Sequence, residues 1–132
     1  MASRMAAAGL CLMSLVVASC SNSEPNRLRV SGSATFDGKP IPFGQIVFTP
    51  DGAKRNSGPQ GVAVIRAGKF DTAAEDGKGV AGGPTVISVT GLTAEGGKPL
   101  CDHELRIDLP RKDSLQDLEV PAKAAAKSRP DI

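Results

Sequence analysis

From Leu28 to Phe36 the chain alternates: Leu28, Val30, Gly32, Ala34 and Phe36 are apolar or small, and Arg29, Ser31, Ser33 and Thr35 between them are polar. A repeat of two sends successive side chains to opposite faces, so it predicts a half-buried strand. Asp37-Gly38-Lys39-Pro40 closes it, because Asp-Gly favours a hairpin turn and proline lacks the N–H that would carry a ladder onward. Gln45–Thr49 (QIVFT) and Gly61–Arg66 (GVAVIR) are rich in the β-branched and aromatic residues that fit a pleated surface. A turn at Ala67-Gly68 then leads to a short strand at Lys69–Thr72. Pro84–Thr90 reads as a buried strand. His103–Leu109 places Leu105, Ile107 and Leu109 on one face, and Leu118 and Val120 form a last short strand before Pro121. Two long segments without periodicity separate these runs, Pro50–Gln60 and Ala73–Gly83, with a third polar, glycine-rich connection at Gly91–Pro99. Loops on a rigid sheet are where contacts concentrate, so the first two are candidate contact surfaces.

The amino terminus follows a different rule. Arg4 precedes an apolar run of 13 residues, Met5 to Val17, whereas a helix needs about 20 to cross a bilayer. This is the form of a secretory signal peptide. Leu15-Val16-Val17-Ala18-Ser19-Cys20 then reads as a bacterial lipoprotein processing site, cut between Ser19 and Cys20. Val17 and Ser19 also suit the cutting rule for freely secreted proteins. The two readings share a cleavage point and differ in whether Cys20 carries lipid; the lipidated form is the expectation. Resemblance to bacterial lipoproteins implies a diacylglyceryl thioether on Cys20 and usually a third chain on its amine, since a single chain holds only marginally. Ser21, not Asp, follows, which by the sorting habit of such proteins points to the outer membrane. The expected location is a bacterial cell envelope, on its periplasmic or surface face.

The expected organisation is therefore a signal peptide at 1–19, a lipidated cysteine and tether at 20–26, a β domain at 27–121 and a disordered tail at 122–132. Ser21–Asn26 is polar and contains a proline, and at about 3.3 Å per residue six residues reach about 20 Å. The tail (AKAAAKSRPDI) favours helix by composition, but it is too short to be stable alone and Pro130 interrupts it. Its Lys123, Lys127 and Arg129 are cations within reach of an anionic lipid or wall polymer.

Composition narrows the partners. Removing 19 residues from 132 leaves 113, enough for one modest core. Sixteen basic and 14 acidic side chains give a net charge of +2, which offers no electrostatic case for nucleic acid. Trp and Tyr are absent and only Phe36, Phe43, Phe48 and Phe70 are aromatic, so stacking platforms for bases or sugars are not expected. Cys11 leaves with the signal and Cys20 is assigned to lipid, so Cys101 has no disulfide partner within the chain. Fifteen Gly and ten Pro fit many turns between short strands, which places the class as all-β.

Val30-Ser-Gly-Ser-Ala-Thr-Phe-Asp-Gly-Lys-Pro40 followed by Ile46-Val-Phe-Thr-Pro50 resembles the opening of carboxypeptidase-regulatory-like, transthyretin-like domains. With Gly58-Pro-Gln-Gly61, Gly68-Lys-Phe-Asp-Thr72 and Gly77-Lys-Gly-Val-Ala-Gly-Gly-Pro84, the chain is similar to small predicted lipoproteins of Planctomycetes over Arg27 to Ala122. The resemblance implies a seven-stranded transthyretin-like or Ig-like β-sandwich, but no activity. The enzyme branch of the transthyretin fold, hydroxyisourate hydrolase, uses several His and Arg and a C-terminal Tyr-Arg-Gly-Ser. This chain has one His and no Tyr, so that activity is not carried over.

The candidate chemistry is thin. Gly77-Lys-Gly-Val-Ala-Gly82 matches G-x-G-x-x-G, but Gly83-Pro84 and a β-branched run follow where a phosphate-binding helix would have to begin. Cys101 and His103 would share one face of a strand, about 6 to 7 Å apart along the chain, too far for imidazole to activate a thiol. One His and one spare Cys cannot make a zinc site within one chain. Asp71, Glu75 and Asp76 could offer oxygens to calcium, although their spacing matches no EF-hand. The reading is a non-catalytic, membrane-tethered domain with no cofactor, in contact with an envelope protein or wall component. The alternative is a small-ligand or calcium-binding module, and a hydrolase is more remote.

Overall fold

The structure is a computed structural model and describes residues 27–126. The signal peptide, Ser19, Cys20, the tether and residues 127–132 lie outside the described residues. The fold is nearly all β, a curled, mainly antiparallel sheet that is sandwich-like. Its strands are β1 (Val30–Phe36), β2 (Lys39–Pro40), β3 (Phe43–Pro50), β4 (Gly61–Arg66), β5 (Lys69–Asp71), β6 (Gly83–Leu92), β7 (Pro99–Leu109), β8 (Ser114–Leu115) and β9 (Leu118–Val120). The order across the sheet is β2-β1-β5-β4-β3-β6-β7, and β8 and β9 pair parallel to β1.

The period-2 pattern sets which side faces inward. Ile46 and Phe48 of β3 stand opposite Val89 and Ile87 of β6, and all four are buried with Ala63 and Ile65 of β4. Leu118 and Val120 of β9 and Val30 and Ala34 of β1 close the core from the other layer. β7 lies at the sheet edge, so its inward row of His103, Leu105 and Ile107 is only half-buried. Asp102, Glu104, Arg106 and Asp108 point outward and are exposed, which discourages strand addition to that edge.

Several boundaries differ from those the sequence predicts. Pro40 does not end the first hairpin: Asp37 and Gly38 both take positive φ, 50° and 76°, and Lys39–Pro40 pairs back onto Thr35–Phe36. β2 is an edge strand, where a missing N–H costs nothing. The Gly91–Pro99 connection shrinks to residues 93–98, because β6 runs to Leu92 and β7 starts at Pro99. Gly91 belongs in the strand since any Cβ there would sit 2.6 Å from Cys101 Sγ and 3.1 Å from Ile41 Cγ2. The two-residue β8 has no period to announce it.

Residues 122–126, which the sequence assigns to the tail, are paired with the sheet. Ala122–Ala124 makes a 3-10 turn, Ala125 bridges Cys101 and the Ala126 N–H donates to the Leu100 carbonyl at 3.0 Å. The exposed edge of β7 supplies the partners that an isolated five-residue segment lacks.

Candidate interaction surface

The strand directions sort the connections into two poles. At one lie the chain entry at Arg27, the β3–β4 loop, the β5–β6 loop and the β7–β8 connection. At the other lie the tight turns 37–38 and 67–68, the β6–β7 hairpin and the segment after β9. The two loops singled out from sequence therefore share a pole, and hydrogen bonds join them.

The β3–β4 loop is more ordered than its composition predicts. Asp51, only 3% exposed, caps a 3-10 turn at Gly52–Lys54 by accepting from the Ala53 N–H at 3.1 Å. Its other oxygen lies 3.4 Å from Arg106 Nη1. Asn56 reaches across to the second loop, donating from Nδ2 to the carbonyls of Gly82 at 2.9 Å and Pro84 at 2.6 Å. These partners lie 26 and 28 residues away, beyond the reach of any local sequence pattern. Replacing Asn56 by Ala leaves the Gly82 carbonyl without this donor, and a loss of about 1 to 2 kcal/mol is expected by denaturant titration.

The β5–β6 loop carries the glycine motif. No helix follows it. Lys78 bridges Val62 and Val80 bridges Leu28, so the segment runs extended between β4 and the chain entry, and Gly83 opens β6. Arg27 lies over the same junction, its Nη1 donating to the Gly79 carbonyl at 3.1 Å and the Gln60 carbonyl at 3.3 Å.

The acidic residues proposed for calcium do not converge. Asp71 accepts from Arg29 Nε at 3.0 Å and Nη2 at 2.5 Å, and from the Ala73 N–H at 2.9 Å. Asp76 is held by Arg66, and Glu75 is exposed. Among the described residues no three His, Cys, Asp or Glu side chains form a metal-holding group.

These pairings fix a pH dependence. The Arg29 hydrogen bonds hold the Asp71 carboxyl below its ordinary value of 3.8, Arg66 does the same for Asp76, and the Ser33 hydroxyl and N–H do so for Asp117. Carboxylates with depressed native pKa stabilise the fold above the unfolded value, and that stability is lost as pH falls through the native one. Urea midpoints should stay level from neutral pH to about 5 and drop below about 4, and Asp71→Asn should flatten part of that drop.

Cys101 and His103 do share the inward face of β7, as their spacing predicts. Cys101 is 1% exposed, and burial pushes its thiol pKa up, against a smaller lowering by a hydrogen bond from the Gly91 backbone. In the folded protein at neutral pH, a thiol reagent should label Cys101 far more slowly than it does in denaturant.

Comparison with protein-family models, with curated proteins and with solved structures gives no match.

Proposed function

We propose that this chain is a membrane-anchored lipoprotein of a bacterial cell envelope, held by lipid on Cys20, whose β-sandwich is non-catalytic and makes contacts through its loop pole. The observation that carries this reading is the meeting of both long loops with the chain entry at one end of the fold, tied by Asn56 and Arg27. A domain hung from that end presents a built, charged surface to whatever lies beside its anchor. The signal-peptide pattern, the processing-site sequence and the resemblance to transthyretin-like lipoproteins support the same reading.

Photocrosslinking in cells tests it, with the reactive residue at Ala53 or Lys78 on the loop pole and at Ala94 on the opposite hairpin. Adducts with an envelope component are expected from the first two positions and not from the third. Equal labelling from both poles, or no adduct from either loop, contradicts the proposal.

A further inference from the structure

The two poles differ in charge. At the entry pole Lys54, Arg55, Lys78, Arg111 and Lys112 are all exposed, and among the described residues none has an acidic group within 4.0 Å. Several acidic side chains of this region are paired, and the exposed Asp108 and Asp113 leave these five cations in excess. Asp51 is buried against Arg106, and Asp71 is taken by Arg29. Asp76 is held by Arg66, the last residue of β4, so the turn that carries Glu75 and Asp76 lies back along the sheet face. Asp113 accepts from the Arg29 N–H at 2.8 Å. Arg111 lies beside the joined loops: a Cβ on Gly83 would sit 2.8 Å from its Nη2 and 3.2 Å from Asn56 Nδ2. The opposite pole mixes both signs, with Asp37 and Glu95 among Lys39, Lys98 and Lys123.

The chain enters at the basic pole. Six residues separate Cys20 from Arg27, a reach of at most about 25 Å. β6 alone, ten residues long, holds the far pole about 30 Å away. We infer that the entry pole seats on the anionic phospholipid headgroups of the leaflet that receives the Cys20 acyl chains; the inference rests on the anchored reading. An anionic leaflet multiplies surface partitioning about fivefold for each basic side chain held near it, within a Debye length of about 8 Å at physiological salt. The short tether keeps these five side chains near that layer. Lys123, one of the tail cations marked from sequence, lies at the far pole, because Ala125 pairs with Cys101 near the start of β7. The domain thereby stands on its loops with its C-terminal segment raised.

The test uses the processed protein purified from its membrane, in vesicles of phosphatidylcholine alone or with about a third phosphatidylglycerol. This composition supplies the negative surface that a basic patch needs. A fluorescent probe is placed at Ala53→Cys on the loop pole or Ala94→Cys on the far hairpin, and headgroup nitroxide lipids quench it. With phosphatidylglycerol, the Ala53→Cys probe should be quenched several-fold more than without it, and the excess should vanish in high salt and in the Lys54→Gln, Arg55→Gln, Lys78→Gln variant. The Ala94→Cys probe should not respond. Equal quenching of the Ala53→Cys probe in both lipid mixtures, or stronger quenching at Ala94→Cys, overturns the inference. Flotation with phosphatidylcholine alone reads the anchor separately. If the protein does not float there, the anchored reading fails, and flotation with phosphatidylglycerol then judges the basic pole by itself. Salt-sensitive flotation, falling about fivefold per charge removed, would uphold the pole's affinity for anionic lipid; its absence would overturn that too.

Discussion

Phe48→Ala is expected to remove about 3 to 5 kcal/mol of stability, the range for emptying a buried aromatic site. Phe48 is 1% exposed, lies on the inward face of β3 between β4 and β6, and packs against Phe70 of β5 with ring centroids 6.4 Å apart and planes tilted by 43°. Strands pair with β3 on both sides, so its backbone cannot collapse into the space left behind. Among the described residues Cys101 is a free cysteine, and the domain stands on this core. Domains of this size are stable by about 5 to 15 kcal/mol, so the loss is a large share of the whole. At about 4 to 8 °C per kcal/mol for a domain near 100 residues, thermal unfolding should fall by roughly 12 to 40 °C. Phe43 is the control. It lies on the outer face, half-buried, with Arg66 over its ring at 6.0 Å, and Phe43→Ala should cost far less.

Cys20→Ala is expected to move the protein from the membrane fraction to the soluble one. The physical reason is that one acyl chain gives marginal, reversible binding whereas two or more hold stably, and the substitution removes the sulfur to which the diacylglyceryl group would be attached. The five exposed basic side chains of the entry pole should then give only salt-sensitive association. Cys101→Ala, at a buried site, should leave the distribution between fractions unchanged. If Cys20→Ala protein stays in the membrane fraction through a high-salt wash, lipid on Cys20 is not what holds it.

Much of the fold was legible in the sequence, and what was missed has a common cause. β1 and the inward row of β7 carry several residues of period-2 alternation, β3 and β4 carry β-branched and aromatic runs, and the hairpins at Asp37-Gly38 and Ala67-Gly68 carry local turn chemistry. Those signals are contained in a few consecutive residues. Pro40, Gly91 and Pro99 read as breakers because the sequence does not reveal that β2 and β7 are edges, or that Gly91 must pass within a side chain's width of Cys101. β8 and the Ala125 bridge are too short to have a period and exist only because β1 and β7 offer unpaired edges.

The surface was legible in part for the same reason. The two loops stood out by their turn-forming residues and lack of pattern. Their union did not, since Asn56 finds its partners across the fold and Asp51 finds Arg106 at 55 residues' separation. Charge followed suit. The full chain's net charge of +2 hides a basic pole, because pairs such as Arg29 with Asp71 and Arg66 with Asp76 form only when the strands align.

The central claim is that lipid on Cys20 holds this domain to a membrane from its loop pole. The most direct test is the mass of the N-terminal peptide recovered from the membrane fraction. A peptide that begins at Cys20 and carries the added mass of a diacylglyceryl group, with or without a third acyl chain on its amine, is the predicted result. A peptide that begins at Cys20 with an unmodified thiol, or at any other residue, would contradict the account.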